Sequence, residues 1–172
     1  MAQVTVYLPK DAKLIVNEGS EVYIGQPLVQ SAIVSPVKGR IEKITSESLI
    51  INFDGVIIFV KRAIGKMRQG KLAVLANESQ EILLSDIKED CRGKVLLGGS
   101  FNREVLTKAF SLGASSVVAT FIEEADFHYF ATLTMFEASL FVIAKADFSV
   151  LSQNNGKETV TEGAFKRILI MV

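Results

Sequence analysis

The chain has almost none of the cysteine and histidine on which thiolate, imidazole and redox sites are built. It holds one cysteine, Cys91, and one histidine, His128. That excludes an intramolecular disulfide, a cysteine-cluster metal site and any site built on two histidines. There is no tryptophan, and only three prolines break the chain. Charge of one sign is also missing. Nineteen basic residues face nineteen acidic ones, so the chain lacks the broad basic face that nucleic-acid binding needs. The longest apolar stretch, Leu49 to Val60, is interrupted by Asn52 and Asp54 and is too short to span a bilayer. The start, MAQVTVYLPKD, has no basic segment followed by an apolar one, so no signal peptide is expected and a cytoplasmic protein is.

What is present is a foldable chain of 172 residues, 49% apolar and 22% charged, enough for one domain or two small ones. The mean hydropathy of +0.33 lies on the apolar side and excludes disorder as the main state. The two ends of the chain differ in period. Up to about residue 75, short β-branched and aromatic runs alternate with glycine, proline and asparagine turns, which predicts an all-β region. Leu49 to Phe53 and Val56 to Val60 flank Asp54-Gly55, a strong hairpin signal. From Lys94 onward strands alternate with helical segments. Strands are expected at 94–97, 115–120, within 133–143 and at 167–172. Helices are expected at 101–112, 123–130 and 148–153, the first capped by Ser100 and stopped by Gly113. The fold class expected is therefore α+β in two modules, a β module at 1–92 and a small α/β domain at 93–172 with a largely parallel sheet. The polar stretch 86–93 reads as the linker between them. Charge is balanced in both, twelve basic and eleven acidic residues up to Gly93, then seven and eight.

A weak internal repeat relates NEGSEVYIGQPL, with Gly19, Gly25 and Leu28, to AIGKMRQGKL, with Gly65, Gly70 and Leu72. The first copy continues into SPVKGRIEKI. On Val16, Glu18-Gly19, Val22, Gly25-Gln26, Leu28, Ser35-Pro36, Gly39 and Ile41, the region resembles the barrel-sandwich hybrid of biotinyl and lipoyl domains. The resemblance implies a glycine turn leading into a strand and a Ser-Pro-x-x-Gly turn before the next. It also implies a carrier lysine at an exposed hairpin tip, and here the chain departs from the pattern: residues 14 to 37 contain no lysine, and Lys38 falls inside the second turn. No attached cofactor is expected. The later half, with its Leu112-Gly113-Ala114 step before an apolar strand, is similar to swivelling and protease-associated-type domains, as in uncharacterised bacterial proteins that pair the two modules.

No substrate follows from any motif. Gly98-Gly99-Ser100, with Asn102, stands between a predicted strand and helix, where free N–H groups would bind an anion or phosphate; a tight turn with a serine cap is the plainer reading. Glu137, a carboxylate between apolar runs in TLTMFEASLF, sits at a strand end or is buried with a partner. His128 near Glu123, Glu124 and Asp126 is a weak metal or acid–base candidate. Cys91 lies among acids that disfavour a thiolate. Lys61, Arg62, Lys66, Arg68 and Lys71 form a basic run without the interleaved aromatics of a base-stacking surface. The function expected is non-catalytic, through protein–protein contacts or self-association. The alternative is a small-ligand-binding or enzymatic α/β domain with its site at Gly98, Gly99, Ser100, Asn102 and Glu137. The apolar run Ile168 to Val172 must be covered, by the chain's own sheet or by a second copy, most simply in a two-fold dimer through 133–143 or 167–172.

Overall fold

The structure, a computed structural model, describes residues 1–133 and 136–172; Thr134 and Met135, within the apolar stretch 133–143, lie outside the described residues. In chain order the elements are β1 (Ala2–Tyr7), β2 (Glu21–Val22), β3 (Gly39–Ile44), β4 (Ser48–Phe53), β5 (Gly55–Phe59), β6 (Arg62–Gly65), β7 (Arg68–Val74), β8 (Val95–Phe101), α1 (Arg103–Ser111), β9 (Ser116–Ile122), α2 (Glu124–Ala131), β10 (Ser139–Val142), α3 (Lys145–Ser152), β11 (Glu158–Glu162) and β12 (Arg167–Met171). The protein is thus α+β, with two sheets.

The chain divides into two compact units, Met1–Ile57 with Leu169–Val172, and Ile58–Ile168. This differs from a division at residue 92. Residues 58–92 lie with the α/β unit because β6 pairs with β10 and β7 pairs with β8 and β11. The stretch 86–93 is not a linker either, since Ile87 and Cys91 belong to the hydrophobic core.

The first unit holds an antiparallel sheet of order β1-β4-β3-β2. Strand alternation puts Val4, Val6, Ile41, Leu49, Ile51 and Phe53 inside, as a sheet with one buried face requires. A Cβ at Gly39 would overlap the Asn52 carbonyl, so glycine here permits the close approach of β3 and β4. The expected Asp54-Gly55 hairpin does not form: β4 pairs with β1 and β3, whereas β5 lies beside β12 in the other sheet. Gly55 is needed for another reason. A Cβ there would overlap the carbonyl of Ile170.

The second sheet has the order β5-β12-β11-β7-β8-β9-β10-β6, with β5 and β12 straddling the division of the chain. It is mixed rather than largely parallel. The pairs β7–β8, β8–β9 and β9–β10 are parallel, while β6 and β11 join antiparallel. The expected helices are present, and α1 ends as predicted at Gly113, with φ of 91°. Val105, Leu106 and Ala109 of α1 and Phe127 and Phe130 of α2 pack in one core with Leu96, Val117, Ala119 and Leu140 of the sheet. The opposite faces of β8 and β9 are buried too, because the sheet curls.

Three hydroxyls report that curl. Ser116 on β9, Ser139 on β10 and Thr161 on β11 are all fully buried. They close a ring of hydrogen bonds, with Ser116 Oγ 2.6 Å from Ser139 Oγ and 2.6 Å from Thr161 Oγ1, and the last two 2.9 Å apart. Two strands, β7 and β8, separate β11 from β9 in the sheet order, so only folding the sheet over brings these groups together. A closed ring lets each hydroxyl donate once and accept once. Removing one hydroxyl leaves a buried partner unsatisfied and costs roughly 1–3 kcal/mol. Urea unfolding of Ser116→Ala, Ser139→Ala and Thr161→Val should each show a loss of that size. The triple variant should lose clearly less than the sum, since no orphan hydroxyl remains; additive losses would refute the ring.

The apolar run of β12 is covered by the chain itself. Ile168, Leu169 and Ile170 are fully buried, and β12 is an interior strand between β5 and β11. Strand β10 is interior as well, between β9 and β6. Within β10, Leu140 and Phe141 are fully buried by the chain itself. No helix among the described residues is long and apolar enough to cross a membrane.

Candidate functional site

The residues singled out in the sequence separate into two places. Gly98, Gly99 and Ser100 lie inside β8 rather than in a turn, and Asn102, not Ser100, caps α1. The Asn102 carboxamide oxygen accepts from the Val105 N–H at 3.1 Å. The glycines serve a backbone crossing. Ser100 N–H donates to Gln80 O, Ile82 N–H donates to Ser100 O, and a Cβ on Gly99 would overlap the Gln80 backbone. The first N–H of α1 is already used as well. Arg103 N donates to Asp126 Oδ2 at 3.1 Å while Arg103 Nε donates to Oδ1 at 3.0 Å, so a carboxylate of the chain itself sits where an anion would bind.

Glu137 is at the other end of the sheet. The register Val95↔Ser116↔Ser139 puts residue 139 level with the start of β8, whereas Phe101 pairs with Ile122 at the far end. The structure therefore does not join Glu137 to Gly98–Asn102. It places Glu137 between two cations. Lys66 Nζ donates to Oε1 at 2.9 Å and to Oε2 at 3.1 Å, and Arg68 donates to Oε2 at 2.9 Å. These hydrogen bonds, Lys66's first, hold the carboxyl below the usual carboxylate range. The group stays open to solvent, 64% exposed.

Beside this ion cluster lies a cleft of about 530 Å³, a volume usual for small-molecule sites. Its walls are aromatic. Phe110 stands edge-on to Phe130 at 5.5 Å and to Phe136 at 5.0 Å, and Tyr129 is edge-on to Phe130 at 5.2 Å. Helix α1 turns Val105, Leu106 and Ala109 into the core, which leaves Phe110 on its flank. Gly113 ends that helix with positive φ, and the chain from Gly113 to Ser115 lines the cleft. Arg68 and Glu137 line the mouth, with Thr107, Ser111 and Ser115 as neutral polar groups. Within the lining the formal charges are one cation and one anion, and Lys66 bound to that anion leaves the rim net positive.

Sequence reasoning found Glu137 and the basic run but missed the rings. The available signal was crowding: nine of the eleven phenylalanines fall after residue 93. The basic run is not an open surface. Arg62 makes a bidentate pair with Glu124 at 2.7 and 3.0 Å, and Lys66 and Arg68 hold Glu137. The weaker candidates do not assemble. Glu124 and Asp126 are engaged by Arg62 and Arg103, His128 is exposed, and no group of three metal-ligating side chains occurs among the described residues. Burial, then Asp90, raises the Cys91 thiol above its usual range, as a structural cysteine behaves. The first unit has its own cleft of about 560 Å³, with Glu21, Lys38, Arg40 and Asn52 in its wall; it lacks the ring cluster of the other.

No family model and no curated protein matches the chain. Among solved structures it is similar to the solution NMR structure of a UPF0107 protein, at 14% identity and a TM-score of 0.49, over 68% of this chain and 100% of that one. It is also similar to BSAP, a zinc aminopeptidase from Bacillus subtilis, at 13% identity and a TM-score of 0.39, over 67% of this chain and 32% of that one. The match therefore spans about a third of the aminopeptidase.

Proposed function

We propose that the protein is a non-catalytic binding protein whose α/β unit takes a small ligand with a flat apolar body and one anionic group. The observation that carries this is the Phe110–Phe130–Phe136 cleft ending at Lys66 and Arg68. Rings in edge-to-face array accept another ring well, and a guanidinium at the mouth suits a carboxylate or phosphate. This keeps Glu137 as a site residue and moves the ligand away from Gly98 and Gly99. In the first unit, Gly19 and Gly25 take positive φ and Ser35 Oγ donates to Val37 O at 2.7 Å. Both fit the turns of a biotinyl- or lipoyl-like hybrid that lacks its carrier lysine. A swivelling-type α/β partner module and a cytoplasmic location, which the lone buried cysteine suits, complete the reading.

A second reading, contact with a protein partner or a second copy through the first unit, is favoured by its exposed Ile15 and Tyr23, 53% and 54% accessible.

The cleft is tested with 3-phenylpropionate as probe, against phenethylamine, which keeps the ring and reverses the charge. At about 100 Kd the acid should stabilise the fold by roughly 2.7 kcal/mol, the amine far less. Phe110→Ala and Arg68→Ala should each weaken binding of the acid about tenfold or more. Equal stabilisation by acid and amine, or none by either, would remove the proposal.

A further inference from the structure

The cleft already holds a carboxylate beside one of its wall rings. Phe136 contributes the third ring of the cluster, 5.0 Å from Phe110 and 5.7 Å from Phe130. The next residue, Glu137, puts its carboxylate on Lys66 and Arg68 through three hydrogen bonds. A wall ring and a carboxylate are thus consecutive in the chain, and the carboxylate already occupies the place assigned above to the ligand's anionic group. We infer that Glu137 is a resident surrogate for the ligand's anionic group, and that a bound ligand's carboxylate replaces it between Lys66 and Arg68. The inference rests on the reading of the cleft as a site for apolar anions and names how that site is regulated.

Of the two cations Arg68 is the better anchored, since Lys66 is 64% exposed. Arg68 opens β7 and is only 32% exposed. Lys66 follows Gly65, whose positive φ and close packing on Ala138 O and Ser139 fix the end of β6. The acid comes from the segment between α2 and β10, and its carboxylate is solvent-exposed. Exposed pairs of this kind are weak, screened by salt, and exchange partners readily. The lowered pKa of Glu137 agrees with a carboxylate resting in a site that prefers anions.

A purely structural latch makes the opposite forecast, because loosening the latch would spoil the cleft. Calorimetric titration separates the two, using 3-phenylpropionate and its neutral amide against the full chain and Glu137→Gln. The variant changes an exposed side chain, so its urea midpoint should stay close to that of the unaltered chain. For a resident surrogate, Glu137→Gln binds the acid about three- to tenfold tighter, the gain shrinks as salt is raised, and affinity for the amide does not change. If the acid binds the unaltered chain but no tighter to Glu137→Gln, or if the amide gains equally, the surrogate is refuted while the cleft stands. If the acid binds neither protein, the cleft reading fails and this inference with it.

Discussion

Deleting residues 168–172 should abolish cooperative folding. The deletion takes away Ile168, Leu169 and Ile170, each fully buried, and truncating one such side chain costs about 2–5 kcal/mol. Three of them exceed or match the whole stability of a typical domain, roughly 5–15 kcal/mol. The loss falls on both units, because Ile168 belongs to one and Leu169–Val172 to the other. It also strips the partner from β5 and β11, leaving two strand edges open to intermolecular pairing. The expected product is insoluble, or soluble without a near-UV circular dichroism signal or a sigmoidal urea transition. Deleting only Met171 and Val172 is the contrast, since Val172 is 66% exposed; that variant should fold. A five-residue truncation with a sharp unfolding transition would mean that β12 is not part of the core.

How far the sequence showed this depends on the range of the interaction concerned. Local rules worked where the cause is local. Gly113 stops α1 because a left-handed residue is needed there, and the acids at Glu124 and Asp126 mark the first turn of α2. Rules failed where a distant strand decides. Asp54-Gly55 has the composition of a two-residue hairpin, yet Gly55 exists to let Ile170 approach across more than a hundred residues of chain. Gly98-Gly99 reads as a turn, yet it is a strand made bare for the segment around Gln80. The division of the chain was missed for the same reason: residues 58–92 are strand-like by period, and only pairing assigns them to the α/β unit. In the cleft, Glu137 stood out as a lone acid among apolar residues. Phe110, Phe130 and Phe136 did not, because rings scattered over α1, α2 and the segment before β10 read as core, to which Phe130 does belong.

Breaking the ion pair between Arg167 and Glu162 should cost more than any other single polar change in the second unit. Glu162 ends β11 and Arg167 begins β12, and both side chains are 7% exposed. The hairpin between them, closed by the Lys166 N–H donating to Gly163 O and by positive φ at Lys166, sets the two charges face to face. The guanidinium also lies 4.7 Å from the centre of the Phe165 ring. A buried pair gains little over apolar residues of the same size, because desolvation offsets the attraction. Removing one member is different, for it leaves an uncompensated charge inside. Arg167→Met should therefore destabilise by about 3–5 kcal/mol in urea unfolding. The double variant Arg167→Met with Glu162→Leu, which removes the orphaned carboxylate as well, should recover most of that loss. Such a rescue is a coupling between neighbours, opposite in sign to simple addition. A loss below about 1 kcal/mol for Arg167→Met, or a double variant worse than either single one, would show that the pair is solvated in solution and not buried between β11 and β12.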